Sequence, residues 1–144
     1  MNRRILLAAI AAAGLVSFGA QAQPVQFHAA LSGSTEVPPN KTEASGTATA
    51  TLDRSTGTLT YEITYQGLSG PPTAMHFHGP AGAGQNSGVQ VPIAAPLASP
   101  VKGTTGKLSD QQIQQLSAGQ WYVNIHTKAY PGGELRGQLT SGGM

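Results

Sequence analysis

The sequence predicts an all-β fold: an antiparallel β-sandwich or flattened barrel of Greek-key-like build, with one short helix. Three observations predict it. Apolar residues recur at every second position in at least six short runs, which is the period of a half-buried strand. Nineteen glycines and ten prolines break those runs with turn chemistry. A helix cap occurs once, and no strand–helix–strand rhythm points to a parallel sheet.

The chain starts with Asn2-Arg3-Arg4, an apolar run from Ile5 to Val16, and Ala20-Gln21-Ala22. A positive end, a short apolar stretch and small residues spaced A-x-A form a secretory signal. Residues 1–22 are therefore expected to be a signal peptide, with the mature domain over 23–144 in the periplasm or secreted. The apolar run is too short for a membrane span, and no other stretch could cross a bilayer. No stable membrane insertion is expected after cleavage.

Losing Arg3 and Arg4 changes the charge. The whole chain has 8 Lys and Arg against 6 Asp and Glu, so the mature domain is balanced. It carries no basic run, which excludes nucleic acid and an anionic membrane surface as partners. There is no cysteine, so packing must stabilise the fold in a compartment that would permit disulfides. Oligomeric state is left open, a homodimer included.

Val25 to Leu31 alternates with Val25, Phe27, Ala29 and Leu31 inward and His28 outward. Residues 32–40 are turn-rich and place Glu36 before Val37-Pro38-Pro39. Residues 46–53 and 58–65 flank Arg54-Ser55-Thr56-Gly57 and read as a hairpin. Ala74-Met75-His76-Phe77-His78 is the next strand. Residues 79–88 form a glycine-rich loop. No helix and no Gly-Lys-Ser/Thr ending follow it, so it is not a phosphate loop. Coverage of a site beside His78 suits it better. Short strands are expected at 89–93 and 101–108, with a proline-bearing loop or edge between. Ser109 caps a helix over 109–116, with Gln112 at the capping-box position and Gly119 ending it. Trp121 to Thr127 and Glu134 to Leu139 read as strands joined by a tight turn. They are expected to pair, with Glu134, Arg136 and Gln138 facing out.

Side chains on a strand alternate faces. Met75 and Phe77 take the core face, so His76 and His78 share the outer one, roughly 7 Å apart along the backbone. In the second strand Val123 and Ile125 point in, and Tyr122, Asn124 and His126 point out. Neutral imidazole is the commonest metal ligand. Three histidines without carboxylate or thiolate leave an open coordination position, and such nitrogen sets favour copper. His76, His78 and His126 are thus the candidate metal ligands. The alternative is polar surface histidines that tie down loops. His28 reads as a surface histidine outside this set, or else a fourth ligand. Glu36 either accepts from an imidazole N–H or fixes its own turn. Tyr122 and Asn124 could support His126, while Trp121 and Tyr130 pack the rim. No nucleophile elbow or paired carboxylates suggest hydrolytic chemistry.

Several separated motifs run in order: Leu31-Ser32-Gly33 with Glu36-Val37-Pro38-Pro39, Gly46-Thr47-Ala48, His76-Phe77-His78-Gly79-Pro80-Ala81, Trp121 to Thr127, and Tyr130-Pro131-Gly132-Gly133-Glu134-Leu135-Arg136-Gly137-Gln138. Together they resemble the CHRD domain, named from chordin and common as a single exported bacterial domain. The resemblance implies a β-sandwich and little chemistry. A weaker likeness links His76, His78, His126 and Arg136, in that order, to copper-zinc superoxide dismutases. It implies copper held by the three histidines, with Arg136 as an anion guide. The chain departs from that family in lacking a bridging histidine, a zinc set and the disulfide. Copper-only chemistry is what the likeness leaves. Arg136 has a second reading, pairing with Glu134 or another outer-face carboxylate, or donating to loop carbonyls. Three functions follow as candidates: a copper-handling protein, a superoxide dismutase-like enzyme, or a non-catalytic interaction module.

Overall fold

A computed structural model describes residues 23–142. The signal peptide expected over 1–22 lies outside the described residues. Among them, no helix is long and apolar enough to cross a membrane.

The fold is all-β and antiparallel. The strands are β1 Val25–Ser32, β2 Ser45–Asp53, β3 Thr58–Gln66, β4 Pro72–His78, β5 Val89–Pro92, β6 Val101–Thr104, β7 Tyr122–Thr127, β8 Leu135–Gln138 and β9 Thr140–Ser141. One α-helix, α1 Asp110–Ser117, precedes β7, and a 3-10 turn at Gly33–Thr35 follows β1. All nine strands belong to one sheet, in the order β5-β4-β7-β8-β1-β2-β3-β6, with β9 paired to β1. The sheet curls on itself. Tyr61 of β3 and Phe77 of β4, five strands apart in that order, meet edge to face at 5.2 Å. A single core results, centred on Phe27, Leu52, Leu59, Ile63, Phe77, Trp121, Val123 and Ile125. Burying such side chains removes apolar area from water, worth ~1.5–3 kcal/mol each.

Alternation decided most elements. β1 buries Phe27, Ala29 and Leu31, and β4 buries Met75 and Phe77. β2 and β3 pair in register from Ser45↔Gln66 to Asp53↔Thr58, as the hairpin reading expects. α1 has the full capping box between Ser109 and Gln112. Leu116 is buried, and Ile113 packs against the core.

Three expectations are corrected. The strand expected at 101–108 ends at Thr104. Beyond it Thr105 Oγ1 accepts from Leu59 N–H, and Leu108 N–H donates to Gly57, so the backbone is satisfied outside the ladder. Trp121 is not at the rim but fully buried. Glu134 does not face out. It precedes β8, where the alternation has not begun, and it turns inward to 0% exposure.

Candidate metal centre

β7 reaches β4 only after residues 79–121, a connection holding β5, β6 and α1. The pairing places His76 opposite Asn124, His78 opposite Tyr122 and Ala74 opposite His126. Opposed residues of an antiparallel pair share a face. His76, His78, Tyr122, Asn124 and His126 therefore crowd one patch of the outer surface. β8 adds Arg136 opposite Asn124 and Gln138 opposite Tyr122.

The three histidines converge. One nitrogen from each lies within 4.8 Å of the others, and all three side chains are half-buried. His76 Nδ1 and His126 Nε2 are 3.2 Å apart. At metal–nitrogen distances of about 2.0–2.1 Å, tetrahedral ligand nitrogens stand about 3.3 Å apart. Two of the remaining nitrogens are held from outside. His126 Nδ1 donates to the Pro131 carbonyl at 2.8 Å. His78 Nδ1 lies 3.0 Å from the Ser87 carbonyl. A carbonyl on the outer ring nitrogen orients a ligating imidazole and fixes its tautomer. It leaves His126 Nε2 facing His76 Nδ1, while His78 Nε2 lies 3.0 Å from Asn124 Oδ1. These residues fit a small divalent or monovalent metal of nitrogen preference.

Layers of rings support the site. Tyr122 stacks on His78 with centroids 4.9 Å apart and planes 3° apart. The Arg136 guanidinium lies 3.6 Å from the same Tyr122 centroid. Tyr122 Oη accepts from Ser87 N–H and donates to its carbonyl. Arg136 is 1% exposed. Its Nη1 donates to Asn86 Oδ1, and its Nη2 to the Gly82 and Gln85 carbonyls. Its donors thus bind the 79–88 loop, and it forms no ion pair with Glu134. The loop in turn meets the turn-rich 32–40 segment, Asn86 Nδ2 donating to the Val37 carbonyl at 2.8 Å.

A profile of the CHRD domain family matches residues 27–139. The chain belongs to the CHRD family. No solved structure matches it.

Within this CHRD domain His76 and His78 are tuned toward neutral imidazole. His76 is held below its ordinary pKa by burial, then by the nearby His126 and His78. Burial also lowers His78, although hydrogen bonds it donates to the Ser87 carbonyl and Asn124 oppose it. Depressed values keep ring nitrogens unprotonated, which ligation needs. His28 sits on β1 opposite Thr49 and Thr140 and is not part of the cluster.

Two carboxylates of the CHRD domain are buried nearby. Glu134 Oε1 accepts from Thr42 Oγ1 and Ser69 N–H, and Oε2 from Ser69 Oγ and Thr127 Oγ1. Burial raises its pKa, but these donors outweigh it and hold the carboxyl below its usual range. Glu36 is 5% exposed, and its Oε1 has no hydrogen-bond partner. Burial pushes it up to about 7, against the pull of the Arg136 charge, the Val37 N–H and the Asn124 amide. Sequence reasoning missed the Ser87 and Pro131 carbonyls and the Tyr122 stack. Only Pro131, in the tight turn five residues after His126, stood where a strand-to-turn reading could have found it.

Proposed function

We propose that this CHRD domain is an exported metal-binding protein that holds copper through His76, His78 and His126. One observation carries the reading: three imidazoles meet within 4.8 Å, with the outer nitrogens of two held by backbone carbonyls. Structural histidines at a surface need no such convergence. Three neutral nitrogens without carboxylate or thiolate favour copper over calcium or magnesium, and copper tops the divalent affinity series. Bound copper supplies a one-electron couple, suited to copper handling or to superoxide dismutation. The protein's own part is to orient the rings, keep His76 and His78 neutral and bring the 79–88 loop against His78. Arg136 acts in this reading by holding the 79–88 loop.

The test is metal analysis of mature protein purified without a His-tag, followed by copper titration. His78→Ala should abolish most of the affinity, and His28→Ala should change little. Identical titration of wild type and His78→Ala would leave the interaction-module reading in its place. A superoxide assay on copper-loaded protein then separates an enzyme from a carrier.

A further inference from the structure

His78 faces two acceptors. The Ser87 carbonyl lies 3.0 Å from Nδ1, and Asn124 Oδ1 lies 3.0 Å from Nε2. A neutral imidazole has a single N–H and cannot serve both. When Nδ1–H serves Ser87, the Asn124 carboxamide must turn so that Nδ2 donates to Nε2. The carboxamide is nearly symmetric in shape, so the turn needs no repacking. It does need something on the far side of Asn124 that accepts either end.

Glu36 stands there. A Cβ built on Gly133 would run into the Glu36 carboxyl and stand 2.9 Å from Asn124 Nδ2. The two groups thus share the space that glycine leaves open. Glu36 Oε1 is buried without a partner, and a buried polar atom without one is rare. A carboxylate accepts from Nδ2, and a carboxylic acid donates its O–H to Oδ1. Glu36 can therefore satisfy Asn124 in both orientations. It is also held in place. Thr35 Oγ1 donates to the Arg136 carbonyl, Asn40 Nδ2 to the Gly133 and Glu134 carbonyls, and Asn86 Nδ2 to Val37.

We propose that Glu36 is a positioning residue for His78, acting through the Asn124 carboxamide. Its second consequence rests on the metal reading above. When an ion takes His78 Nε2, Asn124 loses its partner on that side. Glu36 then keeps the displaced amide satisfied. Without it, the amide competes for the ring nitrogen.

The experiment records imidazole ¹⁵N resonances of His78 and His126 in the metal-free protein, and then titrates copper against a competing chelator. Glu36→Ala should move the His78 tautomer signals and leave those of His126, which is anchored to Pro131. It should also weaken copper binding about tenfold, the low end of what outer partners of metal ligands contribute. Glu36→Gln, whose amide can donate or accept, should restore both. Asn124→Ala should shift His78 in the same selective way, and in that background Glu36→Gln should do nothing further to it. Unchanged His78 signals in a folded Glu36→Ala protein overturn the proposal. So does failure of Glu36→Gln to restore them. If Glu36→Ala does not fold, unchanged His78 signals in Asn124→Ala overturn it equally. His78 signals that respond to Glu36 in a protein that binds no copper uphold the positioning role and reject the metal reading. Normal copper affinity and unmoved signals in Glu36→Ala reject the role and leave the metal reading standing.

Discussion

The imidazole of His78 lies flat on the Tyr122 ring, 4.9 Å between centroids and 3° between planes. β4 brings His78 from one side of β7, and β8 brings Arg136 from the other. Tyr122 is therefore held by both, and its hydroxyl pins Ser87. The loop that carries the His78-orienting carbonyl is fixed by the same tyrosine and the same arginine.

Arg136→Lys should loosen that loop. An ammonium has no planar fork to span Asn86, Gly82 and Gln85 together, and stacks less well on Tyr122. The variant should lose roughly 2–3 kcal/mol in urea denaturation, with up to three charge-assisted hydrogen bonds to loop oxygens unmet. Amide exchange at residues 82–87 should speed up more than in the β2–β3 hairpin. Uniform acceleration across the sheet would mean that Arg136 supports the core as a whole and not this loop.

Glu134 ties three separate segments together through Thr42, Ser69 and Thr127. Glu134→Ala should cost about 3 kcal/mol, because four donors lose the one buried carboxylate that accepts from them. The pH dependence has a definite sign. The folded carboxyl is held below its usual range, so its stability is present above the unfolded pKa and is lost as pH falls through the folded value. The stability gap between wild type and Glu134→Ala should therefore narrow on acidification. A gap that widens toward acid would contradict this bonding.

Much of this was legible in the sequence, and the reasons are physical. Period-two alternation sorts Met75 and Phe77 from His76 and His78 with no further information. The same rule sorts Val123 and Ile125 from Asn124 and His126. Adjacency of β4 and β7 was not legible, because a 79–121 connection leaves many pairings open. Glu134 was misplaced because alternation was extended one residue before the strand began at Leu135. Buried Arg136 could not be told from an exposed cation either. Two of its three partners are backbone carbonyls of a glycine-rich loop, which have no side-chain signature.

Gly133 answers a different requirement. Its φ is +133°, a conformation that side chains rarely adopt, and the Glu36 carboxyl occupies the place of its missing Cβ. Gly133→Ala should cost roughly 2–3 kcal/mol from strain and clash together. Adding Glu36→Ala should recover the clash part and leave the backbone part, a non-additive pair. Strictly additive losses in thermal unfolding would show that the carboxyl yields without cost.

Copper should stabilise the native chain, since the convergent nitrogens exist only in the fold. At a free concentration of a hundred times Kd the gain is about 2.7 kcal/mol. For a domain of this size that raises Tm by about 10 °C. His76 and His78 have folded pKa values held below the ordinary imidazole range. Protons therefore compete with the metal only at lower pH than for free histidine. The unfolded chain takes up protons at these rings first, so metal-free stability also declines as pH falls below about 6.5. The copper-induced shift should be full at pH 7.5, persist below 6.5 and vanish as both rings protonate. Differential scanning calorimetry of wild type and His78→Ala across that range checks it. A shift equally large in His78→Ala, or one that grows on acidification, would place the copper at other groups than these histidines.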